Sequence, residues 1–142
     1  RHLGRREGLP EAVLRELDES RRVAERNTGM TLCLALNYGS RAEITRAVRA
    51  IARQAAAGAL DPDAITPDTV SQRLDTAGLP DPDLVIRTSG ELRLSNFLLW
   101  QLSYAELYPV EAYWPDFTGE RFREAIRAYA TRTRRFGGLS RC

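Results

Sequence analysis

The stretch 83–100, DLVIRTSGELRLSNFLLW, constrains this chain more than any other. Asp83-Leu84-Val85-Ile86 reads as a short strand closed by Arg87. That guanidinium then emerges at the carboxyl end of a strand, where open α/β sheets form their ligand crevices. Arg93 follows six residues on. Ser95 or Asn96 next stands where an N-cap belongs for a helix over about 96–108, whose first-turn amides and dipole would face the same pocket. Such a loop is built to hold an anion, a phosphate or diphosphate.

Around it, helices and strands alternate. Residues 10–26 carry Val13, Leu14, Leu17 and Ala24 among charges, a helix with one buried stripe. Residues 31–37, TLCLALN, form a nearly continuous apolar run, as a parallel strand covered on both faces would. Tyr38-Gly39-Ser40 turns the chain into a helix over about 42–57 with Ile44, Ala47, Val48, Ile51 and Ala55 on one face. Thr66-Pro67 reads as a cap and first position of a short helix through about residue 77. Phe97 to Leu107 predict a helix with little polar surface, and residues 110–114 one more strand. Thr118 caps a last helix bearing Phe122, Ala125, Ile126 and Tyr129. This order predicts an α/β domain, a parallel sheet layered with helices. Three strands make a thin sheet, so the expectation is an incomplete three-layer domain lacking its amino-terminal strands.

Composition bounds the function classes. The 142 residues suffice for one core, and a net charge of +2 is too small to imply nucleic acid. All 21 basic residues are arginine. Alongside so much alanine, a GC-rich coding bias accounts for that, and only arginines in the loops carry functional weight. Cys33 and Cys142 do not make a disulfide framework; no run is long enough to span a membrane, and the chain reads as cytoplasmic. His2, the only histidine, lies at the very start and is assigned no role.

Three segments, 27–44 (NTGMTLCLALNYGSRAEI), 83–117 (DLVIRTSGELRLSNFLLWQLSYAELYPVEAYWPDF) and 132–138 (RTRRFGG), resemble the cis-prenyltransferases, the undecaprenyl diphosphate synthase family. Those proteins commonly carry RT-[GS]-GE-x-R-x-SNF followed by AYAELY and WPDF. The resemblance implies the carboxyl-terminal part of a single catalytic domain spanning 1–142. It also implies a transferase of isoprenoid biosynthesis, dependent on Mg2+, that condenses isopentenyl diphosphate with an allylic prenyl diphosphate to give a Z-polyprenyl diphosphate. A homodimer is implied, with no nucleic acid and with a membrane met only through the lipid product. By resemblance, Arg87, Arg93, Leu94 and Ser95 hold the isopentenyl diphosphate, and Arg135 and Gly137 reach the same site of a partner subunit. Glu106 is linked to the metal.

Some assignments compete with plainer ones. Taken singly, Arg87 and Arg93 are as well explained by ion pairs with carboxylates such as Glu91, and Ser95 by capping; together, after a strand and before a helix, they point to an anion. Eleven residues of helix between Ser95 and Glu106 would span about 16 Å, so Glu106 would act across a dimer or indirectly through a neighbouring side chain, or else be a buried carboxylate paired with an arginine. The tail also reads as a basic helix end with a glycine cap, a plainer reading that the resemblance outweighs. Arg41, in the 37–41 turn, is expected to hold that turn together. Ser40 and Ser89 replace glycines common in the family, and Leu92 a polar residue. Nothing matches the family's amino-terminal DGNxRWA block, whose aspartate works with magnesium, so this chain alone is expected to be inactive and to hold no catalytic residue. The alternatives are a catalytically silent partner subunit and a generic phosphate-binding α/β module.

Overall fold

The computed structural model describes residues 1–138, so Cys142 lies outside the described residues. The chain packs as two compact units, Arg1–Leu79 and the stretch from Pro80 on. Each holds one two-stranded parallel sheet with helices, so the α/β class with parallel pairing is as the alternation predicts.

In the first unit β1 (His2–Leu3) pairs with β2 (Leu34–Ala35), between which lies α1 (Glu11–Ala24). β1 is absent from the sequence-based expectation, since two residues show no periodicity. The apolar run 31–37 was expected to be covered on both faces and is not. Leu32 and Leu34 are 62% and 42% exposed while Cys33 and Ala35 are half-buried, the alternation of a strand with one covered face. α1 likewise buries nothing completely; Val13, Leu14 and Leu17 are half-buried and Ala24 is exposed. Gly4 fixes the turn after β1: its φ is +114°, and a Cβ there would lie 2.3 Å from the Leu36 carbonyl oxygen.

α2 (Ser40–Ala56) departs most from its expected face. Ser40, Glu43, Ala47 and Ile51 are buried, whereas Val48 is 53% exposed. The helix is therefore turned so that a carboxyl group, not Val48, faces inward. Hydrogen bonds explain the choice: Tyr38 Oη donates to Glu43 Oε2 at 2.6 Å and the Asp75 amide to Glu43 Oε1 at 2.7 Å. Asp75 in turn accepts from the Gly4 amide and from Arg46, each at 2.9 Å. A buried carboxyl with its acceptors engaged avoids the cost of an unmade bond. α3 (Pro67–Ser71) starts with the expected Thr66 cap, here a capping box with Thr69, but stops well short of residue 77.

In the second unit β3 (Leu84–Arg87) pairs with β4 (Glu106–Pro109), Leu84 opposite Glu106 and Arg87 opposite Pro109. The last strand was expected at 110–114 and begins four residues earlier. Residues 110–112 still run beside the loop after β3: Val110 N donates to Arg87 O at 2.7 Å, Ser89 N to Ala112 O and Gly90 N to Val110 O, both at 2.9 Å. α4 (Gly119–Ala130) is capped by Thr118 as expected and packs beside β4. Its Ala125 is buried, but Phe122 and Ile126 are 49% and 44% exposed.

The helix expected over 96–108 does not form. Ser95, Asn96 and Leu98 have φ of 50°, 62° and 44°, a left-handed conformation that no right-handed helix accommodates. The segment is a chain of turns ending at β4. Its burial nonetheless keeps helical spacing, Leu98, Gln101 and Leu102, which is why the sequence reads as a helix.

Candidate anion-binding site

β3 is a strand because Val85 and Ile86 favour extended backbone and pair along β4. Its last residue, Arg87, is half-buried, and its Nε is buried with no acceptor among the described residues. Two tight turns follow. Ser89 (φ 65°) and Gly90 (φ 63°) form the first, closed by Glu91 N to Thr88 O at 3.4 Å. Glycine suits the positive φ at 90, and a Cβ there would meet only the movable end of the Glu111 side chain, at 2.9 Å from Oε2. Ser95 and Asn96 form the second, closed by Phe97 N to Leu94 O at 3.1 Å. The N-cap assigned to Ser95 or Asn96, and the helix dipole behind it, are thereby corrected: the site is a pair of turns on a strand end.

Arg93 lies on the exposed segment between the turns, its side chain 71% exposed, and pairs with Glu91 at 2.6 Å. Glu91 is thus the ion partner that the plainer reading named, although a pair this exposed contributes little to stability. Leu94 is half-buried and Ser95 exposed.

Glu106 opens β4 rather than riding a helix, so the 16 Å helical separation from Ser95 no longer applies. Its Oε2 accepts from Arg132 Nη1 at 2.9 Å, and the same guanidinium nitrogen donates to Leu107 O at 3.0 Å. Among the described residues no three His, Cys, Asp or Glu side chains gather as a metal site. The tail is fastened a second time by Arg134, which donates to Asp83, to Tyr104 O at 3.3 Å, and stacks over Phe136 at 4.3 Å. Burial works against the charge of Arg134, but the hydrogen bond to Asp83, with Tyr129 nearby, outweighs it and raises the guanidinium pKa. Beyond it Arg135 and Gly137 are exposed, Gly137 at φ 78° and Gly138 N bonded to Arg135 O at 2.7 Å. The sequence missed Arg132, Arg134 and Asp83; among so many arginines their spacing carries no signal.

Fold and loop define an α/β protein with parallel strands and an arginine at a strand's carboxyl end. Residues 1–137 match the family described as "Putative undecaprenyl diphosphate synthase". An isoprenyl transferase of Agrobacterium fabrum is 57% identical over 140 residues, 99% of this chain and 57% of that protein. One of Geobacillus kaustophilus is 53% identical over 97% of this chain and 54% of its own length. Among solved structures, lavandulyl diphosphate synthase from Lavandula x intermedia, crystallised with dimethylallyl diphosphate, matches with a TM-score of 0.92 and 39% identity, over 96% of this chain and 58% of that one. A probable undecaprenyl diphosphate synthase from Campylobacter jejuni gives 0.79 and 32%, over 96% and 62%. The chain belongs to the undecaprenyl diphosphate synthase family, and it spans little more than half the length of these relatives.

Proposed function

We propose that this chain carries the isopentenyl diphosphate site of a Z-prenyl diphosphate synthase. The observation that carries the reading is the placement of Arg87 at the carboxyl end of β3, inside the family's RTSGE motif, with Arg93 on the exposed segment between the two turns that follow. Two guanidinium groups so placed are matched to the oxygens of a diphosphate. Arg93 supplies the second guanidinium, held by Glu91 until the ligand competes for it. Leu94 and Ser95 shape the turn beneath. In the reaction the isopentenyl double bond attacks carbon 1 of the allylic diphosphate, diphosphate leaves, and a proton is lost from the isopentenyl chain. The part of this chain is to bind and orient the homoallylic partner.

The family resemblance implies Mg2+, but Glu106 is engaged with Arg132 and no metal cluster forms among the described residues. Among the described residues no all-protein magnesium site is built, and Mg2+ is ordinarily held by one or two carboxylates together with substrate phosphates. Glu106 instead holds the tail.

The proposed assembly is a homodimer in the cytoplasm. Arg134 anchors the tail at Asp83, just before β3, whereas Arg87 closes β3, about 13 Å further along at 3.3 Å per residue. The family resemblance assigns Arg135 and Gly137 to the site of a partner subunit, and attachment of Arg134 at the opposite end of β3 from Arg87 is compatible with that. Among the described residues no helix is long and apolar enough to cross a membrane. The 142-residue chain alone, without the family's aspartate block, is expected to bind diphosphate and not to condense it.

The test is magnesium-dependent incorporation of labelled isopentenyl diphosphate into lipid by the natural protein containing these residues, and by its Arg93→Ala variant. Incorporation that falls sharply in the variant supports the reading; none by the parent protein overturns it. Diphosphate soaked into crystals of the 142-residue chain should lie against Arg87 and Arg93, and a lack of density there would count against the site.

A further inference from the structure

α2 presents a basic face unlike those of the other long helices. On α1 and α4 arginines are interleaved with acids and pair with them: Arg15 with Glu11, Arg22 with Glu19, Arg123 and Arg127 with Glu120. α2 carries Arg41, Arg46, Arg49 and Arg53 with a single acid, Glu43, and that acid is turned inward and buried. Its outer face therefore has no carboxylate of its own.

Part of that face lines a cleft. Arg41, Ala42, Thr45, Arg46 and Arg49 from α2, with Arg5 from the loop after β1, line a shallow, largely open depression of about 440 Å³. Arg46 is held in place by Asp75 at 2.9 Å. Among the described residues no carboxylate pairs with Arg5 or Arg49. With Arg46 already paired to Asp75, the guanidinium groups of Arg5 and Arg49 on the same depression repel one another unless an anion sits between them. A coding bias toward arginine does not explain why the acids are missing here and present on α1 and α4.

We propose that this cleft is a second phosphate-binding site, separate from the Arg87 loop and formed wholly within the first unit. Guanidinium forks suit phosphate oxygens, and the cleft is of small-ligand size, too short for a long polyanion. No aromatic side chain lines it, so a nucleobase would find no stacking surface. The ligand is a phosphate or diphosphate group, carried either by a soluble molecule or by a lipid headgroup at a membrane surface.

Two probes separate these sources: inorganic pyrophosphate, followed by titration calorimetry on the 142-residue chain, and phosphatidylcholine vesicles with or without phosphatidic acid, followed by co-sedimentation. Arg5→Ala/Arg49→Ala should weaken binding of one probe by about tenfold or more, with the circular dichroism spectrum unchanged because both side chains are exposed. Arg87→Ala/Arg93→Ala should leave that event intact, which keeps the two sites distinguishable. Loss confined to pyrophosphate identifies a soluble ligand, and loss confined to phosphatidic acid vesicles a lipid headgroup. Undiminished binding of both probes overturns the proposal. So does full affinity in Arg5→Lys/Arg49→Lys, which would reduce the cleft to unspecific attraction.

Discussion

Arg87 and Arg93 are unequal partners. Arg87 is half-buried with an unsatisfied Nε, while Arg93 is mostly exposed and borrowed from Glu91. Arg87→Ala is therefore expected to cost more, about 1.5–3 kcal/mol of diphosphate binding for each charge-assisted hydrogen bond lost. Titration with pyrophosphate checks the ranking, and an equal loss for the two would count against it. Arg93→Lys should recover only part of the affinity, because an ammonium lacks the fork. Ser89 sits at φ 65° in a turn whose other central residue is a glycine. Relief of left-handed strain outweighs the added freedom of the unfolded chain, so Ser89→Gly should stabilise by about 0.5–1 kcal/mol in thermal or denaturant melts.

At the scale of elements, sequence patterns located what depends on local chemistry. β3 announces itself through Leu84, Val85 and Ile86, α3 and α4 through Thr66 and Thr118, and the basic tail through its glycines. Where long-range contacts decide, the pattern misleads: Leu98 and Leu102 keep helical spacing while Asn96, tolerant of left-handed backbone, helps bend the segment into turns. Glu43 illustrates the same limit, since a glutamate on an amphipathic helix is read as solvated and only Tyr38 and the Asp75 amide reveal it as interior. Glu43→Ala should destabilise by about 2–4 kcal/mol by stranding both donors; a change below 1 kcal/mol, by that same reasoning, would show the network relaxes. Asp18 of α1 is held below the usual carboxylate range by its hydrogen bond from Arg6. Its contribution is present above the unfolded-state pKa and fades as pH falls through the lowered folded value. Asp18→Asn should flatten that acid limb in melts recorded across pH.

For the whole molecule, the candidate loop after β3 stands out in the sequence because its arginines are close together, whereas the attachment of the tail does not. Arg132 lies 26 residues from Glu106 and Arg134 51 residues from Asp83. No local pattern links such positions. In the natural protein, Glu106→Gln should lower turnover by loosening the tail. The charge-exchanged pair Glu106→Arg/Arg132→Glu should recover part of it, an outcome that a purely metal-binding glutamate would not give.

That anchoring of the tail at the far end of its own strand has a genetic consequence. If each centre borrows its finishing residues from a neighbour, two defective alleles, one altered at Arg93 and the other at Arg135, should complement: a mixed pair concentrates both lesions in one centre and leaves the other whole. A mixed pair should then work at about half the wild-type rate, and since random association makes roughly half the pairs mixed, co-expression should restore about a quarter of the wild-type activity, where either allele alone supports little.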